Sequence, residues 1–274
     1  MSSKKILMLV LCVVVLCIVA VSVWAQQANV PQNTAKATVK IATASGPMDK
    51  RALDELKLMS DTISQAKTVR FQARSMVPFR TPSGMWVNLY GTSRVVMQGH
   101  DKLFASTAGD VAPNDFYFDG KTITKYSPEK NLYAIKKELG TIDDMIEKAR
   151  REENKSFPYA DILISEPYAV MTDGLTSALY VGQTTIKPLS GSAGDQVIHL
   201  AFSNKGVQWQ LWIGTGDHLP RLVIATYLDD ASEPSYAVEF ADWKLNEPVD
   251  LAVFVFNNVS NASKIEYRNP AVKN

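Results

Sequence analysis

The stretch from Gln196 to Leu245 constrains the fold of this chain more than any other. It contains four strand candidates in succession, separated by short breaks at 203–206, 214–217 and 229–234. The breaks are rich in Gly, Asn, Asp and Pro and have the length of hairpin turns. Four strands joined in this way predict an antiparallel meander, and such a sheet must bury at least one face.

Apolar side chains occur on both faces of the predicted meander. Because successive side chains of a strand point to opposite faces, Trp209 shares a face with Leu211 and Ile213, whereas Trp212 lies on the other face. The following strands show the same mixture. A sheet curled around its own contents accounts for this pattern, and so does an ordinary two-layer core.

The rest of the chain supplies further strands and some helices. Apolar residues at helical spacing predict helices over 49–67, 141–153 and 158–171, the last broken at Glu166-Pro167. Alternating patterns predict strands from Thr68 onward, two tight hairpins within 115–135, a strand over 175–186 and a hairpin loop at 191–195. Without an internal linker or a shift in composition, residues 48–270 are predicted to form one domain.

The N-terminus has the features of an export signal. Lys4 and Lys5 precede an apolar run over 6–23, and Val23-Trp24-Ala25 fits a cleavage site. We therefore expect residues 1–25 to be a secretory signal peptide, although an uncleaved anchor fits the length of the apolar run as well. Residues 26–47 lack periodicity and are expected to form a flexible leader. The predicted localisation is periplasmic, with no integral membrane span after signal cleavage.

Cysteine usage and charge exclude several classes of function. Cys12 and Cys17 both lie in the predicted signal, and neither follows the small residue that bacterial lipidation requires. The mature protein would thus have no disulfide, thiol nucleophile or Cys-ligated metal. Without Lys4 and Lys5, 27 basic residues face 28 acidic ones. This balance argues against a nucleic-acid partner and against general attraction to anionic membranes.

No catalytic, cofactor or metal motif is recognisable. The three histidines, His100, His199 and His218, are far apart, and no pair has metal-ligand spacing. Nucleophile elbows, zinc-protease helices and phosphate-binding glycine loops are absent. The sequence predicts no cofactor, no metal and no catalytic residue. A hydrolase with His199 or His218 as base stays open, because catalytic partners need not be close in sequence.

Large apolar residues on the strands indicate an apolar ligand pocket, or else plain packing. Trp209 and Trp212 alternate, so they cannot both point inward. The helical stretch 158–171 offers further apolar side chains from above. The candidate lining consists of Trp86, Leu89, Met97, Phe104, Trp209, Leu211 and Trp212 from the strands, and of Ile162, Leu163, Tyr168 and Met171 from the helical stretch.

The order of the elements and three short pieces carry a family resemblance. The pieces are Phe118-Asp119-Gly120-Lys121, Trp209-Gln210-Leu211-Trp212-Ile213 and Leu219-Pro220-Arg221. Over about Asp49 to Tyr267, the chain resembles a large bacterial family of predicted periplasmic proteins of unknown function within the lipoprotein-carrier (LolA/LolB-like) superfamily.

The resemblance implies a mainly β fold with some α-helix: an incomplete antiparallel β-barrel of about ten or eleven strands, with helices over its concave face. In the carriers, the hollow of this sheet is similar to a cup for acyl chains. The expected function is therefore a periplasmic binding protein that holds a lipid or an acylated protein partner. The alternatives are a non-catalytic envelope module that binds a partner at an open sheet edge, and a hydrolase.

Overall fold

The computed structural model describes residues 48–153, 159–187 and 194–267. The predicted signal peptide (1–25), the leader (26–47) and most of the predicted loop at 191–195 lie outside these residues. The helices are α1 (Lys50–Ser64), α2 (Ile142–Glu153), α3 (Ala160–Leu163) and α4 (Pro167–Thr172). The strands are β1 (Thr68–Arg80), β2 (Trp86–Gln98), β3 (Lys102–Gly109), β4 (Asn114–Phe118), β5 (Thr122–Ser127), β6 (Leu132–Lys137), β7 (Leu175–Ile186), β8 (Asp195–Asn204), β9 (Val207–Gly214), β10 (Pro220–Tyr227), β11 (Ser235–Leu245) and β12 (Ser263–Lys264); a 3₁₀ turn covers Leu251–Phe254.

The twelve strands found in these residues form one sheet, in the order β12-β6-β5-β4-β3-β2-β1-β11-β10-β9-β8-β7. Neighbours from β1 to β11 run antiparallel, and the two-residue β12 runs parallel to β6. The sheet is curved and open, since its end strands do not pair. The predicted incomplete antiparallel barrel is confirmed, with a short parallel strand added at one edge.

Chain order places the helices over one face of the sheet. β6 and β7 follow each other in sequence but lie near opposite edges, so the connection that holds α2, α3 and α4 must cross the sheet. α1 begins next to β7 and leads to β1. The backbone N–H of Asp49, which caps this helix, donates to the carbonyl of Ala178 in β7, and β1 begins shortly after α1 ends. Within the described ranges, no helix combines the length and apolarity that a membrane span requires.

The protein's own side chains fill most of the helix-covered face. Phe71 of β1 is buried at its centre, with ring centroids 5.7 Å from Tyr159 and 4.5 Å from Trp243. Burying an aromatic ring of this size contributes roughly 2–3 kcal/mol, so these contacts hold the helical connection to the sheet. The buried residues of α1 that join the same cluster recur at helical spacing: Ala52, Leu56, Met59 and Ile63.

The opposite face carries a smaller apolar cluster. Val96 of β2 and Phe104 of β3 pair across the strands and are covered by Phe254 of the 3₁₀ turn. The ring of Tyr117 lies 5.0 Å from that of Phe104, and burial raises the pKa of Tyr117 to about 12. The segment after β11 thus covers strand residues that would otherwise face water.

Turn chemistry explains one piece of the family resemblance. The Asp119 carboxylate accepts hydrogen bonds from the backbone N–H groups of Lys121 (2.9 Å) and Thr122 (2.7 Å). Gly120 has φ +83°, a left-handed conformation that costs glycine little. The Asp-Gly pair therefore closes the β4–β5 hairpin as the sequence predicts.

Arg221 explains a second piece, because it ties three segments together. Its guanidinium donates to Asp195 at the start of β8 and to Asp217 in the β9–β10 turn, both at 2.7 Å. It also donates to the carbonyl of Leu219 at 2.9 Å. A planar group with five donors can make these contacts together, whereas an ammonium cannot.

Candidate apolar ligand pocket

The sheet consists of a first meander, β1–β6, and a second meander, β7–β11. A cavity of about 260 Å³ lies between the second meander and the short helices α3 and α4. Ten of its twelve lining residues are aliphatic, Met or aromatic, so the cavity offers a mainly apolar surface. The lining consists of Tyr159, Asp161, Ile162, Val170, Met171, Asn204, Val207, Trp209, Val223, Ala225, Tyr227 and Tyr236. We refer to it as the meander pocket.

Strand register builds the floor of the meander pocket. In the β9–β10 hairpin, Trp209 pairs with Ala225, and Val207 pairs with Tyr227. Side chains that are paired across strands share a face, so these four residues reach the same side of the sheet. The floor therefore follows from the period of two along each strand and from a register that shifts once, between Pro220 and Leu222.

Trp209 is held in one orientation. Its ring stacks on that of Phe202 with centroids 4.1 Å apart, and its indole N–H donates to the side-chain oxygen of Asn204 at 2.8 Å. The amide nitrogen of Asn204 donates to the backbone carbonyl of Asp173, directly after α4, at 2.7 Å. This chain of contacts connects the floor of the meander pocket to its lid.

The lid helices are fixed by hydrogen bonds at their ends. Ser165, between α3 and α4, donates its backbone N–H to the carboxylate of Asp143 in α2 at 3.0 Å, and its hydroxyl donates to the same carboxylate. The backbone N–H of Tyr168 donates to the buried hydroxyl of Ser60 in α1 at 2.9 Å. Helices this short are not stable alone, so these anchors set the height of the lid.

Polar groups in the lining are few, and burial shifts two of them. Burial raises the pKa of Tyr159, while hydrogen bonds with Ser93 and Thr107 act in the other direction. Partial burial raises the pKa of Tyr227, and the nearby negative charge of Asp161 raises it further. Both phenols therefore stay neutral at physiological pH, and Asp161 is the acidic side chain of the lining.

Residues 52–267 match the family described as "Predicted periplasmic protein (DUF2092)". The chain belongs to this family. The match confirms the family that the sequence resembles and the predicted periplasmic localisation. No curated protein was found to match this DUF2092 chain.

Several solved structures are similar to the chain. LprF from Mycobacterium bovis has 12% identity and a TM-score of 0.43, over 75% of this chain and 98% of that one. The lipoprotein LppX from Mycobacterium tuberculosis has 14% identity and a TM-score of 0.38, over 74% and 99%. A LolA superfamily protein from Nitrosomonas europaea has 8% identity and a TM-score of 0.34, over 75% and 97%. At these values the likeness carries none of the functional reasoning below.

The structure brings together three of the eleven predicted lining residues, Ile162, Met171 and Trp209. Three others, Met97, Leu163 and Leu211, lie on the helix-covered face but are part of the packed core. Tyr168 is half-buried and packs against that core from α4.

Four predicted lining residues lie elsewhere. Phe104 pairs with Val96 on the opposite face, next to the inward pair Met97–Leu103. Trp212 also lies on the opposite face, where its ring stacks on His199 with centroids 4.1 Å apart. Trp86 and Leu89 lie near the tip of the β1–β2 hairpin and are not part of the meander pocket lining.

Sequence reasoning missed most of the floor and part of the lid. Val207, Val223, Ala225 and Tyr227 are small or turn-proximal, and a search for large aromatic residues passes over them. Their signal is register, but a shift between Pro220 and Leu222 hides it. Counting from the pair Ile213–Pro220 places Ala225 opposite Gln208, whereas the structure places it opposite Trp209.

None of the three histidines belongs to the meander pocket lining. The Nε2 atom of His199 lies 3.0 Å from the side-chain oxygen of Gln210, and burial lowers the pKa of His199. His218 lies 3.7 Å from Glu55, and the carbonyl of His100 accepts a hydrogen bond from the N–H of Ile142. In the part of the chain that the structure describes, no cluster of His, Cys, Asp and Glu could hold a metal ion.

Proposed function

We propose that this periplasmic protein binds one apolar chain, such as the acyl chain of a lipid or of an acylated protein, in the meander pocket. The observation that carries the proposal is a mainly apolar pocket of about 260 Å³, open on one side, between the lid helices and the sheet and next to the packed core. Two of its lining residues, Val170 and Tyr227, are 42% and 45% exposed, so a ligand can enter from the surface. Ligand sites are typically concave and mostly apolar with a few polar groups, as this pocket is.

The volume limits what the meander pocket holds. A group of the size of a water molecule takes up about 30 Å³, so the cavity accommodates roughly nine methylene-sized groups. At about 0.8 kcal/mol per buried methylene, such a chain gains about 7 kcal/mol before the losses of freedom on binding. We therefore expect affinities no tighter than micromolar for a single chain, with any further length of ligand outside the cavity.

Binding without catalysis suits the composition of the pocket lining. The lining holds one carboxylate, one amide and three phenols, and it holds no histidine, serine, threonine or lysine. A hydrolytic site needs a nucleophile or an activated water next to a base. Asp161 next to neutral phenols supplies neither pair, so the hydrolase alternative has less support than binding.

The alternative, an envelope module that binds a protein partner, is supported by the unpaired edges of the sheet. β7 forms one end, and β12 covers only Leu132 and Tyr133 of β6 at the other. Strand addition at such an edge would recruit a protein rather than a lipid. Capture of one periplasmic protein in stoichiometric amounts, from an extract that yields no bound lipid, would favour this alternative.

A chain-length series tests the proposal directly. Alkyl glucosides with chains of six to fourteen carbons, each below its micelle concentration, are titrated by calorimetry. We expect the affinity to rise about fourfold per methylene and to level off near nine carbons, where the cavity is full. Mass spectrometry of organic extracts from natively purified protein would identify the natural ligand. Absence of binding at every chain length, together with clean extracts, would overturn the proposal.

A further inference from the structure

The tip of the β1–β2 hairpin extends beyond the rest of the sheet. β1 and β2 pair with each other over their full lengths, from Thr68 with Gln98 to Arg80 with Trp86. In the described residues, β11 accompanies β1 only as far as Met76, and β3 accompanies β2 only as far as Gly91. Residues 77–89 therefore form a two-stranded ribbon without strand neighbours, which we call the hairpin arm.

One face of the hairpin arm is apolar, and the other is mixed. On the helix-covered side its paired residues are Val77 with Leu89 and Phe79 with Val87. The other side mixes Pro78, Arg80, Trp86 and Asn88, with the Arg80 guanidinium 6.0 Å from the centre of the Trp86 ring. Residues 77–89 contain no acidic side chain.

These side chains are not part of the fold's interior. Phe79 and Met85 are 48% and 62% exposed, and no residue of the arm belongs to either hydrophobic cluster of the described chain. The turn is nevertheless well formed: the N–H of Thr81 donates to the carbonyl of Met85 at 2.8 Å, and Gly84 has φ +86°. The other apolar side chains of the arm are half-buried. A formed hairpin that exposes large apolar side chains near its turn indicates an interaction surface.

We propose that the hairpin arm inserts into the interfacial layer of a phospholipid membrane. Four residue pairs at about 3.4 Å each give the arm a reach of roughly 14 Å. Interfacial segments enter about 5–10 Å below the headgroups, whereas a spanning strand needs about nine to eleven residues. The arm is long enough to insert and too short to cross. The backbone N–H and C=O groups at its outer edges have no strand partner, so they must stay at the level of the headgroups, where water can form hydrogen bonds with them.

A membrane fits the arm better than a protein partner does. A partner's surface covers one face of a ribbon, whereas a lipid layer surrounds both, and a large aromatic side chain lies on each face here, Phe79 on one and Trp86 on the other. A second copy adding a strand to the outer edge of β1 would meet Pro78, which has no N–H to donate. Trp86 near the tip of the arm and Tyr90 just below its base are residue types that membrane interfaces favour.

Charge does not drive this contact. Arg80 is the arm's single charged residue. The pKa of the Asp230 carboxyl is lowered mainly by its hydrogen bonds from Ser232, and the positive charge of Arg80 lowers it further. The near balance of charge over the whole chain points the same way. Insertion should therefore depend on apolar contact and occur on neutral lipid.

The arm adjoins the meander pocket. Met76 pairs with Ala237, so Val77 of the arm and Tyr236 of the pocket lining occupy the next positions across the same two strands. Adjacent strands are about 4.8 Å apart, and both residues lie on the helix-covered side. An apolar surface thus continues from the arm to the pocket. Membrane insertion itself does not depend on what the pocket holds.

The test is flotation of the full protein with vesicles of phosphatidylcholine alone and with added phosphatidylglycerol. The variant Phe79→Ser/Met85→Ser should partition at least about tenfold more weakly, with an unchanged unfolding midpoint, because the arm packs against neither cluster. Leu139→Ser is the matched control, since Leu139 is 66% exposed outside the arm. Brominated phosphatidylcholine should quench tryptophan fluorescence of the wild type and much less that of Trp86→Phe.

Three results would overturn the proposal. The first is equal vesicle binding by the double variant and the wild type. The second is binding that needs anionic lipid and disappears with salt, since that indicates charge rather than insertion. The third is a wild-type dimer that the double variant loses while no vesicle binding occurs, which would assign the arm to a second copy. A protein that floats with vesicles but binds no alkyl glucoside would contradict the proposed ligand site in the meander pocket and leave the proposed membrane insertion of the arm unaffected.

Discussion

Filling the meander pocket from its floor is the sharpest test of the proposed function. Ala225 is buried in β10 and contributes to the lining of the cavity. A phenylalanine at this position would place a ring in the cavity without displacing another side chain. Because a void of about 150 Å³ holds one benzene ring, the ring would leave roughly 110 Å³ of the original volume.

The remaining space predicts the size of the effect. About four methylene groups fit where nine did, so Ala225→Phe removes about five buried methylenes. At about 0.8 kcal/mol each, a nonyl chain should bind about 4 kcal/mol more weakly, which is about a thousandfold. In the alkyl glucoside series, wild-type affinity should rise up to about nine carbons, whereas that of Ala225→Phe should already be level from six carbons, the shortest chain, because only about four methylenes fit.

Calorimetry on the same glucosides measures both quantities. The control is Ala201→Phe, which adds the same ring to the half-buried, opposite face of β8, where Ala201 pairs with Gln210. This variant should bind as the wild type does. An unchanged levelling-off point in Ala225→Phe, in a protein that unfolds as cooperatively as the wild type, would refute the assignment of this cavity as the ligand site.

Three further predictions concern stability. Arg221→Ala should lower the free energy of unfolding by about 1–2 kcal/mol in urea titrations, because it removes two ion pairs whose carboxylates are partly exposed and therefore partly screened by water. Arg221→Lys should recover less than half of this loss, and full recovery would contradict the bridging role. Burial lowers the pKa of the His199 imidazole below its ordinary 6.5, so the imidazole is protonated more readily in the unfolded chain than in the folded one. The stability that neutral His199 contributes is therefore complete above about pH 6.5 and is lost as the pH falls. His199→Gln should reduce the change of the unfolding midpoint between pH 5 and 7. The pKa of Tyr117, raised from 10.0 to about 12, predicts stability that is complete below pH 10 and is lost as the pH rises toward 12, a loss that Tyr117→Phe should reduce.

Local patterns predicted the elements of the fold well, because each has a short-range physical cause. The period of two and the turn at Asp119-Gly120 specify strands and a hairpin wherever the chain lies in space. Pro167 ends one short helical segment and begins the next, as its missing N–H requires. Neither pattern predicts which strands pair where the two meanders meet. There β1 pairs with β11, and the paired residues are about 170 positions apart in the sequence.

The meander pocket was less predictable because it forms where side chains are small and leave space, not where large apolar side chains occur. Large residues such as Met97 and Leu211 were expected to line a hollow, and they fill the core instead. The cavity occurs where the floor residues are small, at Ala225 and Val223, and where hydrogen bonds hold the lid away from the floor. A pattern of apolar residues carries no information about the height of that lid.

Apolar side chains on both faces of the strands have two different causes in this molecule, and only the neighbours of each strand separate them. Phe104 is buried because the segment after β11 folds over it, and Trp212 is half-buried with the ring of His199 stacked on it. Phe79 has the same alternation in sequence but lies beyond the last residue of β1 that pairs with β11, and it is 48% exposed. The alternation in the sequence is the same in all three cases, and only the register shows which of these residues the fold covers. At the hairpin arm, the exposed residues are Phe79 and Met85, which the proposed membrane contact would bury.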